Sequence, residues 1–96
     1  MKIISFEGIE GVGKSTQITL LKEFLKSKNL TVETYREPGS TKAGEKIRNI
    51  LLDNNNELTN ESELLLMFAS RAELVSKIIK SSQSDYLLLD RLSLIH

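Results

Sequence analysis

The sequence contains no cysteine, and its 96 residues include one histidine and one proline. The absence of cysteine excludes disulfides and thiolate metal sites, and His96 alone cannot build a zinc site. The chain also has no excess of charge of either sign, because 13 basic side chains balance 13 acidic ones. A general nucleic-acid binder usually carries a large basic excess. We therefore expect no nucleic-acid partner.

Long apolar runs are missing as well. No stretch approaches the roughly 20 apolar residues that cross a bilayer, and the run from Met1 to Phe6 is too short for the core of a signal peptide. We therefore expect a cytoplasmic protein without membrane contact. The length and the 40% hydrophobic content fit one domain, or part of one, at the short end of the usual size range.

Apolar runs and amphipathic segments follow one another along the chain and predict an α/β fold. Short apolar runs at 2–6 and 86–89 are typical of strands, and the β-branched and aromatic residues at 31–35 predict a strand between them. Helical spacing of apolar residues predicts helices over 15–28, 43–53 and 60–79. This order is typical of a parallel sheet with right-handed crossovers and flanking helices.

A few residues are expected to begin or end these elements. Asn29 tolerates the left-handed conformation of a helix C-cap and should end the first helix. Pro38 biases the residue before it away from helix, which predicts a loop over 36–40. Asn60 followed by Glu63 resembles a capping box and predicts the start of the third helix.

Residues 8–15 read GIEGVGKS and match the P-loop pattern G-x-x-x-x-G-K-[ST] in full. The motif directly follows the first predicted strand and directly precedes the first helix, which is the context that it requires. Its glycines turn backbone N–H groups toward phosphate oxygens, Lys14 reaches the β and γ phosphates, and the Ser15 hydroxyl can ligate Mg²⁺. We therefore expect phosphate binding here; the alternative is a glycine-rich turn with a stray lysine.

Two acidic residues accompany this motif. Asp90 follows the apolar run 86–89, where a nucleoside-triphosphatase strand delivers a carboxylate to the magnesium ion. Apolar strands that end in Asp are common, so this assignment depends on the P-loop. Glu10 lies inside the P-loop, where a carboxylate is unfavourable unless it has a partner or a role. Its alternative is a solvent-facing loop position.

Arginine and phenylalanine supply further candidates. The planar guanidinium of Arg48, Arg71 or Arg91 suits a phosphate, and we expect each to point toward the P-loop edge of the sheet. The alternative for each is a solvated surface charge. Phe68 and Arg71 lie three residues apart and share a helix face. The Phe68 ring could stack on a flat base while the Arg71 guanidinium binds the edge of that base. The alternative for Phe68 is a position in the core.

Together these motifs resemble the thymidylate kinase family, whose members phosphorylate thymidine monophosphate (dTMP). The segments that carry the resemblance follow the family's order: FEGIEGVGKST at 6–16, REPG at 36–39, EKIRNILL at 45–52, ELLLMFASR at 63–71 and DR at 90–91. The resemblance implies a P-loop nucleoside monophosphate kinase-like fold, with ATP as donor, Mg²⁺ as cofactor and dTMP as acceptor. It also implies a homodimer in the complete family form, through helices that include the third one here.

The resemblance assigns donor-side roles to the P-loop and to the end of the third strand. ATP would be bound by Gly8, Glu10, Gly11, Val12, Gly13, Lys14, Ser15 and Thr16. The metal ligands would be Ser15 and Asp90. Lys14, Glu10 and Arg91 would act in catalysis.

The acceptor-side roles are also implied by the resemblance. Glu10 would hold the sugar hydroxyl, Arg48 would hold the phosphate, and Arg91 would also contact substrate. Phe68 would stack on thymine while Arg71 bonds to the base edge. Glu37 and Pro38 would shape the acceptor pocket.

The resemblance covers only the N-terminal part of the family's proteins and does not include their lid segment. Gly11 follows Glu10 in this P-loop, which resembles the subgroup whose extra catalytic arginine lies in that lid. Residues 92–96 also depart from the family, which has an aromatic residue after Arg91. We therefore expect a truncated domain in which the first strand is an exposed edge and apolar helix faces are uncovered. Three functions stay open: a dTMP kinase, a nucleotide-binding remnant with little turnover, and a P-loop kinase for another acceptor. A fourth, an interaction module with a P-loop fold, has no feature of the sequence in its favour.

Overall fold

The computed structural model describes residues 1–8 and 13–92, in which strands and helices follow one another as expected. The elements are β1 (Lys2–Gly8), α1 (Lys14–Ser27), β2 (Val32–Glu37), α2 (Lys42–Leu52), α3 (Asn60–Lys77), a 3₁₀ turn (Ile79–Ser81) and β3 (Tyr86–Leu92). None of the helices in these residues is long and apolar enough to span a membrane. The chain forms two compact units: unit 1 comprises Met1–Arg36 and Gln83–His96, and unit 2 comprises Glu37–Ser82.

The sheet has the strand order β1-β3-β2. β1 and β3 run parallel, with Lys2 opposite Tyr86 and Gly8 opposite Leu92. The predicted parallel sheet with flanking helices is therefore confirmed. Within the described sheet, β1 lies at an edge, as expected.

The core of unit 1 forms between α1 and the sheet. Ile18 and Leu25 of α1 cluster with Leu88 of β3, and partly buried neighbours complete the cluster: Ile4, Phe6, Leu21, Leu30, Val32 and Tyr86. Leu20 and Phe24 also fit the helical spacing of α1, yet both are exposed. The buried stripe of α1 is therefore narrower than its apolar pattern.

α1 ends where the sequence predicts. Asn29 adopts a left-handed conformation with φ 63°. Its N–H donates to Lys26 O at 3.0 Å, and the N–H of Leu30 donates to Leu25 O at 3.2 Å. These two bonds satisfy carbonyl groups that the end of a helix leaves without partners, and the contact between Leu30 and the core accompanies them.

Two strands run further than predicted. β2 continues through Glu37, so the predicted loop at 36–40 is wrong for Arg36 and Glu37. The reason is that Pro38 favours extended backbone in the preceding residue, which is compatible with a strand. β3 continues past Leu89 to Leu92 because its pairing with β1 extends to Gly8.

The ends of α3 also differ from the prediction. Thr59, not Asn60, caps the helix, because its Oγ1 accepts a hydrogen bond from Ser62 N at 3.1 Å. The helix ends at Lys77 and gives way to the 3₁₀ turn. Ser81 donates to Ile78 O from its N–H and its hydroxyl, both at 3.2 Å, which favours the tighter turn.

Polar side chains tie β2 to β3 in unit 1. Asp85 Oδ2 accepts hydrogen bonds from the N–H of Thr31 at 2.8 Å and from its hydroxyl at 3.1 Å. These bonds, the backbone one first, hold the pKa of Asp85 below its usual range. The hydroxyls of Tyr35 and Ser84 both donate to the Glu33 carboxylate. The bond to Glu33, with burial and the negative charge adding to it, raises the pKa of Tyr35 to about 12.

In unit 2, α2 packs on α3. Thr41 caps α2, with its Oγ1 accepting from Gly44 N at 2.9 Å. Gly44 leaves no room for a side chain, since a Cβ there would lie 2.7 Å from Gly39 O and 2.7 Å from Thr41 Oγ1. Several large apolar side chains of this unit are exposed, as expected for uncovered helix faces: Ile50, Leu52, Leu64, Leu65 and Phe68.

Replacing Asn29 by Ala is expected to lower the free energy of unfolding by about 1 kcal/mol, because an L-residue with a Cβ is strained in the left-handed region. Urea unfolding followed by circular dichroism measures the change. Asn29→Gly is the matched control and should unfold at the same or a higher urea concentration. Equal losses in both variants would contradict this explanation.

Replacing Gly44 by Ala should destabilise the chain by about 1–3 kcal/mol, because the new methyl group meets the Gly39 carbonyl. In an unobstructed helix the same change stabilises by roughly 0.5–1 kcal/mol. Asn49→Ala, at an exposed position of α2, is the control and should be neutral or slightly stabilising. A higher melting temperature for Gly44→Ala would refute the steric argument.

Candidate active site

Lys14, the P-loop lysine, lies at the start of α1 with only 6% of its surface exposed. Its Nζ donates to Gly8 O at 3.0 Å and to Arg91 O at 3.2 Å, and it forms an ion pair with Asp90 Oδ1 at 2.7 Å. The parallel register creates this arrangement, because it brings the ends of β1 and β3 to the same edge of the sheet. The P-loop lysine and the predicted Asp90 carboxylate therefore meet directly.

The start of α1 has the features of an anion site. Gly13 caps the helix with φ 82°, a conformation that favours glycine, and no side chain caps the first turn. That turn contains no acidic residue, and Ser15 and Thr16 are exposed within it. Free N–H groups and the helix dipole attract phosphate at such a position.

The oxygen donors near Lys14 fit a magnesium ion. The Asp90 carboxylate and the Ser15 hydroxyl supply the hard oxygen ligands that Mg²⁺ prefers. Among the residues that the structure describes, no group of three or more acidic, histidine or cysteine side chains could hold a metal. Mg²⁺ is usually bound by one or two carboxylates together with substrate phosphates rather than by a protein cage. The chemistry of this donor set therefore suits a metal that arrives with a nucleotide.

Arg91 pairs with a residue to which the sequence analysis gave no role. Its Nη1 lies 3.0 Å from Glu7 Oε1, and the two residues are directly opposite in the register of β1 and β3. Arg91 is therefore held by Glu7 of the neighbouring strand rather than left as a solvated charge. Only the pairing of the strands reveals the importance of Glu7, since nothing in its own sequence segment marks it.

Three predicted P-loop residues, Glu10, Gly11 and Val12, lie outside the described residues. The phosphate-side group that the structure does describe comprises Gly8, Gly13, Lys14, Ser15, Thr16, Asp90 and Arg91. All of these belong to unit 1.

In unit 2, Arg71 forms a two-bond ion pair with Glu37. Its Nε lies 3.1 Å from Glu37 Oε1, and its Nη2 lies 3.2 Å from Glu37 Oε2. Glu37 is buried, whereas 45% of the Arg71 side chain is exposed. The structure therefore brings together two residues that the sequence analysis assigned separately to the acceptor pocket.

Phe68 lies one helical turn before Arg71 and is 55% exposed. The alternative that Phe68 is a core residue is therefore wrong for the described part of the chain. Its apolar neighbours Leu64 and Leu65 are exposed too, so the apolar pattern of α3 did not mark a covered face. The ring and the guanidinium are both accessible on the same helix.

Arg48 is buried, contrary to the alternative of a solvated surface charge. Its Nη1 donates to Pro38 O at 2.9 Å. Ser70, which the sequence analysis gave no role, accepts a hydrogen bond from Gly39 N at 2.9 Å and is also buried. The loop after β2 is thus anchored by α2 through Arg48 and by α3 through Ser70. The role of Ser70 had only a weak signal in the sequence, namely a small polar residue within an apolar helix segment.

Comparison with known proteins identifies the family of the chain. Residues 6–94 match the family model described as thymidylate kinase. The chain is 55% identical over 92 residues to a thymidylate kinase of Thermosipho africanus, covering 94% of this chain and 46% of the relative. It is 57% identical over 90 residues to one of Prosthecochloris aestuarii, covering 92% of this chain and 40% of that relative.

A solved structure gives the same result. The crystal structure of thymidylate kinase from Ehrlichia chaffeensis superposes with a TM-score of 0.78 at 43% identity, covering 94% of this chain and 52% of that one. The chain thus spans less than half the length of these two curated relatives and about half of the solved chain. By the family model, the sequence identity and the shared fold, this chain belongs to the thymidylate kinase family.

Proposed function

We propose that this chain carries donor and acceptor sites of a nucleoside monophosphate kinase, which transfers the γ-phosphate of ATP to dTMP and releases ADP and dTDP. The observation that carries the proposal is the 2.7 Å approach of Lys14 Nζ to Asp90 Oδ1 at the ends of two paired parallel strands. This pair joins a phosphate-binding cation to a metal-binding carboxylate. The names of the relatives support dTMP as the acceptor.

On the donor side, binding is an exchange of partners at Lys14. Its ammonium is surrounded by the Gly8 and Arg91 carbonyls and by the Asp90 carboxylate. A phosphate oxygen carries more negative charge than a carbonyl oxygen and competes for the same N–H groups. Lys14 therefore turns to the β and γ phosphates, and Asp90 becomes available, with Ser15, to hold Mg²⁺. The metal, when bound, neutralises charge on the donor phosphates.

The transfer itself needs positioning and charge stabilisation more than proton transfer. An oxygen of the acceptor phosphate attacks the γ-phosphorus, and the bond from that phosphorus to the oxygen bridging the β phosphate breaks. Lys14 stabilises the negative charge on the transferring group, and Arg91, held by Glu7, supplies a second cation. Glu10 binds the sugar hydroxyl of the acceptor in this proposal.

On the acceptor side, the exposed ring of Phe68 stacks on the pyrimidine, and Arg71 donates to the base edge. Arg48 is assigned to the acceptor phosphate, while Glu37 and Pro38 form the wall of the pocket. Both residues of that wall are buried, which suits a rigid boundary. The homodimer and the cytoplasmic location stay predictions.

The turnover test measures dTDP formation from dTMP and ATP, with and without Mg²⁺, by the purified chain. We expect product that depends on Mg²⁺ and that falls at least about 100-fold in Lys14→Ala, because a main stabiliser of the transferring group is lost. Arg71→Ala should reduce turnover of dTMP without abolishing ATP binding. A folded chain that binds ATP yet forms no product would instead be a nucleotide-binding remnant, which is the alternative that the sequence analysis left open.

Phe68→Ala tests the acceptor site separately. Because Phe68 is exposed, its loss should change the free energy of unfolding by no more than about 0.5 kcal/mol. The dissociation constant for dTMP, measured by calorimetry, should rise about 10-fold because base stacking is lost. Leu65→Ala is the matched control, since Leu65 is 67% exposed on the same helix and has no assigned contact with the base. An equal weakening in both variants would contradict the stacking role.

A further inference from the structure

We propose that Glu37 is a positioning residue: it fixes the Arg71 guanidinium so that the acceptor site favours a pyrimidine with a C4 carbonyl over one with a C4 amine. This inference rests on the proposed function, because it concerns the base-reading role given there to Arg71. It goes beyond that function by explaining how Arg71 is held and what selectivity results.

The first argument is the geometry of the ion pair. Glu37 accepts from Nε of Arg71 at 3.1 Å and from Nη2 at 3.2 Å, so it engages one side of the guanidinium fork. The two N–H groups of Nη1 lie outside these two bonds. A pair of parallel bonds prevents the planar group from turning. The orientation of Nη1 is therefore set by Glu37.

The second argument is the unequal burial of the two partners. Glu37 is 5% exposed, whereas the Arg71 side chain is 45% exposed. A carboxylate this buried is poorly placed to bind a ligand itself, but the arginine that neutralises it still reaches solvent. A residue that holds a ligand-binding side chain in place should itself be buried, and the side chain that it holds should stay accessible to the ligand.

The third argument is that Glu37 is itself firmly held. It is the last residue of β2, and the two residues that follow it are anchored on different helices. Pro38 O accepts from Arg48 on α2, and Gly39 N donates to Ser70, the neighbour of Arg71 on α3. The distance from Glu37 to Arg71 is therefore fixed by the backbone at both ends of the pair.

Selectivity follows from hydrogen-bond chemistry. A guanidinium only donates, so it binds a carbonyl oxygen and is repelled by the N–H groups of an exocyclic amine. An arginine free to rotate could swing into solvent and avoid that conflict, but an arginine held by Glu37 cannot. Fixing Arg71 thus strengthens binding of thymine and also penalises a 5-methylcytosine of the same size.

The test compares calorimetric affinities of the full 96-residue chain for dTMP and for 5-methyl-dCMP, which differ at position 4 of the base and in the N3 proton. In Glu37→Gln, one amide N–H group faces the arginine donors and the two-bond pair is lost. We expect dTMP to bind about 10-fold more weakly, with less than about a 2-fold change for 5-methyl-dCMP. Deoxyribose 5-phosphate, which has no base, should bind equally to both proteins.

Two further variants separate positioning from a structural role. In an Arg71→Ala background, adding Glu37→Gln should change dTMP affinity by less than about 2-fold, because Glu37 acts through Arg71. Arg71→Lys keeps a charge but cannot make the two-bond pair, so it should lower the ratio of affinities in the same way. This variant also preserves the test if Glu37→Gln fails to fold.

The possible outcomes are distinct. Equal weakening for dTMP and 5-methyl-dCMP in both single variants, or an unchanged ratio, overturns the inference alone. A wild-type chain that folds but binds no dTMP overturns the proposed function and the inference with it. A ratio that falls in Glu37→Gln and in Arg71→Lys, with no additional effect in the Arg71→Ala background, establishes the positioning role.

Discussion

A buried ammonium must be surrounded by oxygen atoms, and the ends of β1 and β3 around Lys14 are arranged to meet that requirement. An unpaired charge at such a position costs several kcal/mol. Lys14 avoids the cost because the parallel register of β1 and β3 delivers two carbonyls and the Asp90 carboxylate to its Nζ. The same register places Glu7 opposite Arg91. Strand pairing, rather than the glycine-rich loop alone, therefore brings the charged groups together.

Unit 2 satisfies the same requirement with the signs reversed. Glu37 is the buried charge there, and Arg71 is its more exposed partner. Arg48 is buried against the backbone of the intervening loop, and Gly44 lets that loop lie directly against α2. Phe68, by contrast, is exposed on the helix surface. Buried charges are uncommon in an ordinary core unless they are paired, and both Glu37 and Arg48 have hydrogen-bond partners within this unit.

The sequence predicted those features that depend on neighbouring residues. Apolar spacing and β-branched residues predicted the three strands and three α-helices of residues 1–8 and 13–92, although not the 3₁₀ turn at Ile79–Ser81. The P-loop pattern identified Lys14 as a candidate, and Asn29 was predicted as the left-handed end of α1. Two ion pairs between distant residues were not predicted. The pairing of Glu7 with Arg91 depends on strand register, and the pairing of Glu37 with Arg71 joins residues far apart in the chain. The core alternative for Phe68 was wrong because α3 is apolar around much of its circumference near Leu64 and Leu65. Periodicity alone does not say which face of such a helix is covered.

Lys14 and Arg71 are both paired with carboxylates of the protein itself. A bare charge in the site would have to lose its hydration when a ligand arrives. Lys14 is already shielded from water by its protein partners, whereas Arg71, with 45% of its side chain exposed, is shielded only on the side that faces Glu37. In the proposed function, a phosphate would displace the partners of Lys14, so binding would depend on the higher charge of a phosphate oxygen relative to a carbonyl oxygen. In the proposal for Arg71 the pair with Glu37 would persist, because Glu37 accepts from Nε and Nη2 and does not use Nη1. The two proposals therefore treat one ion pair as an exchangeable contact and the other as a fixed support. The difference follows from burial: the cation is the buried partner in the pair of Lys14 with Asp90, and it is the exposed partner in the pair of Arg71 with Glu37.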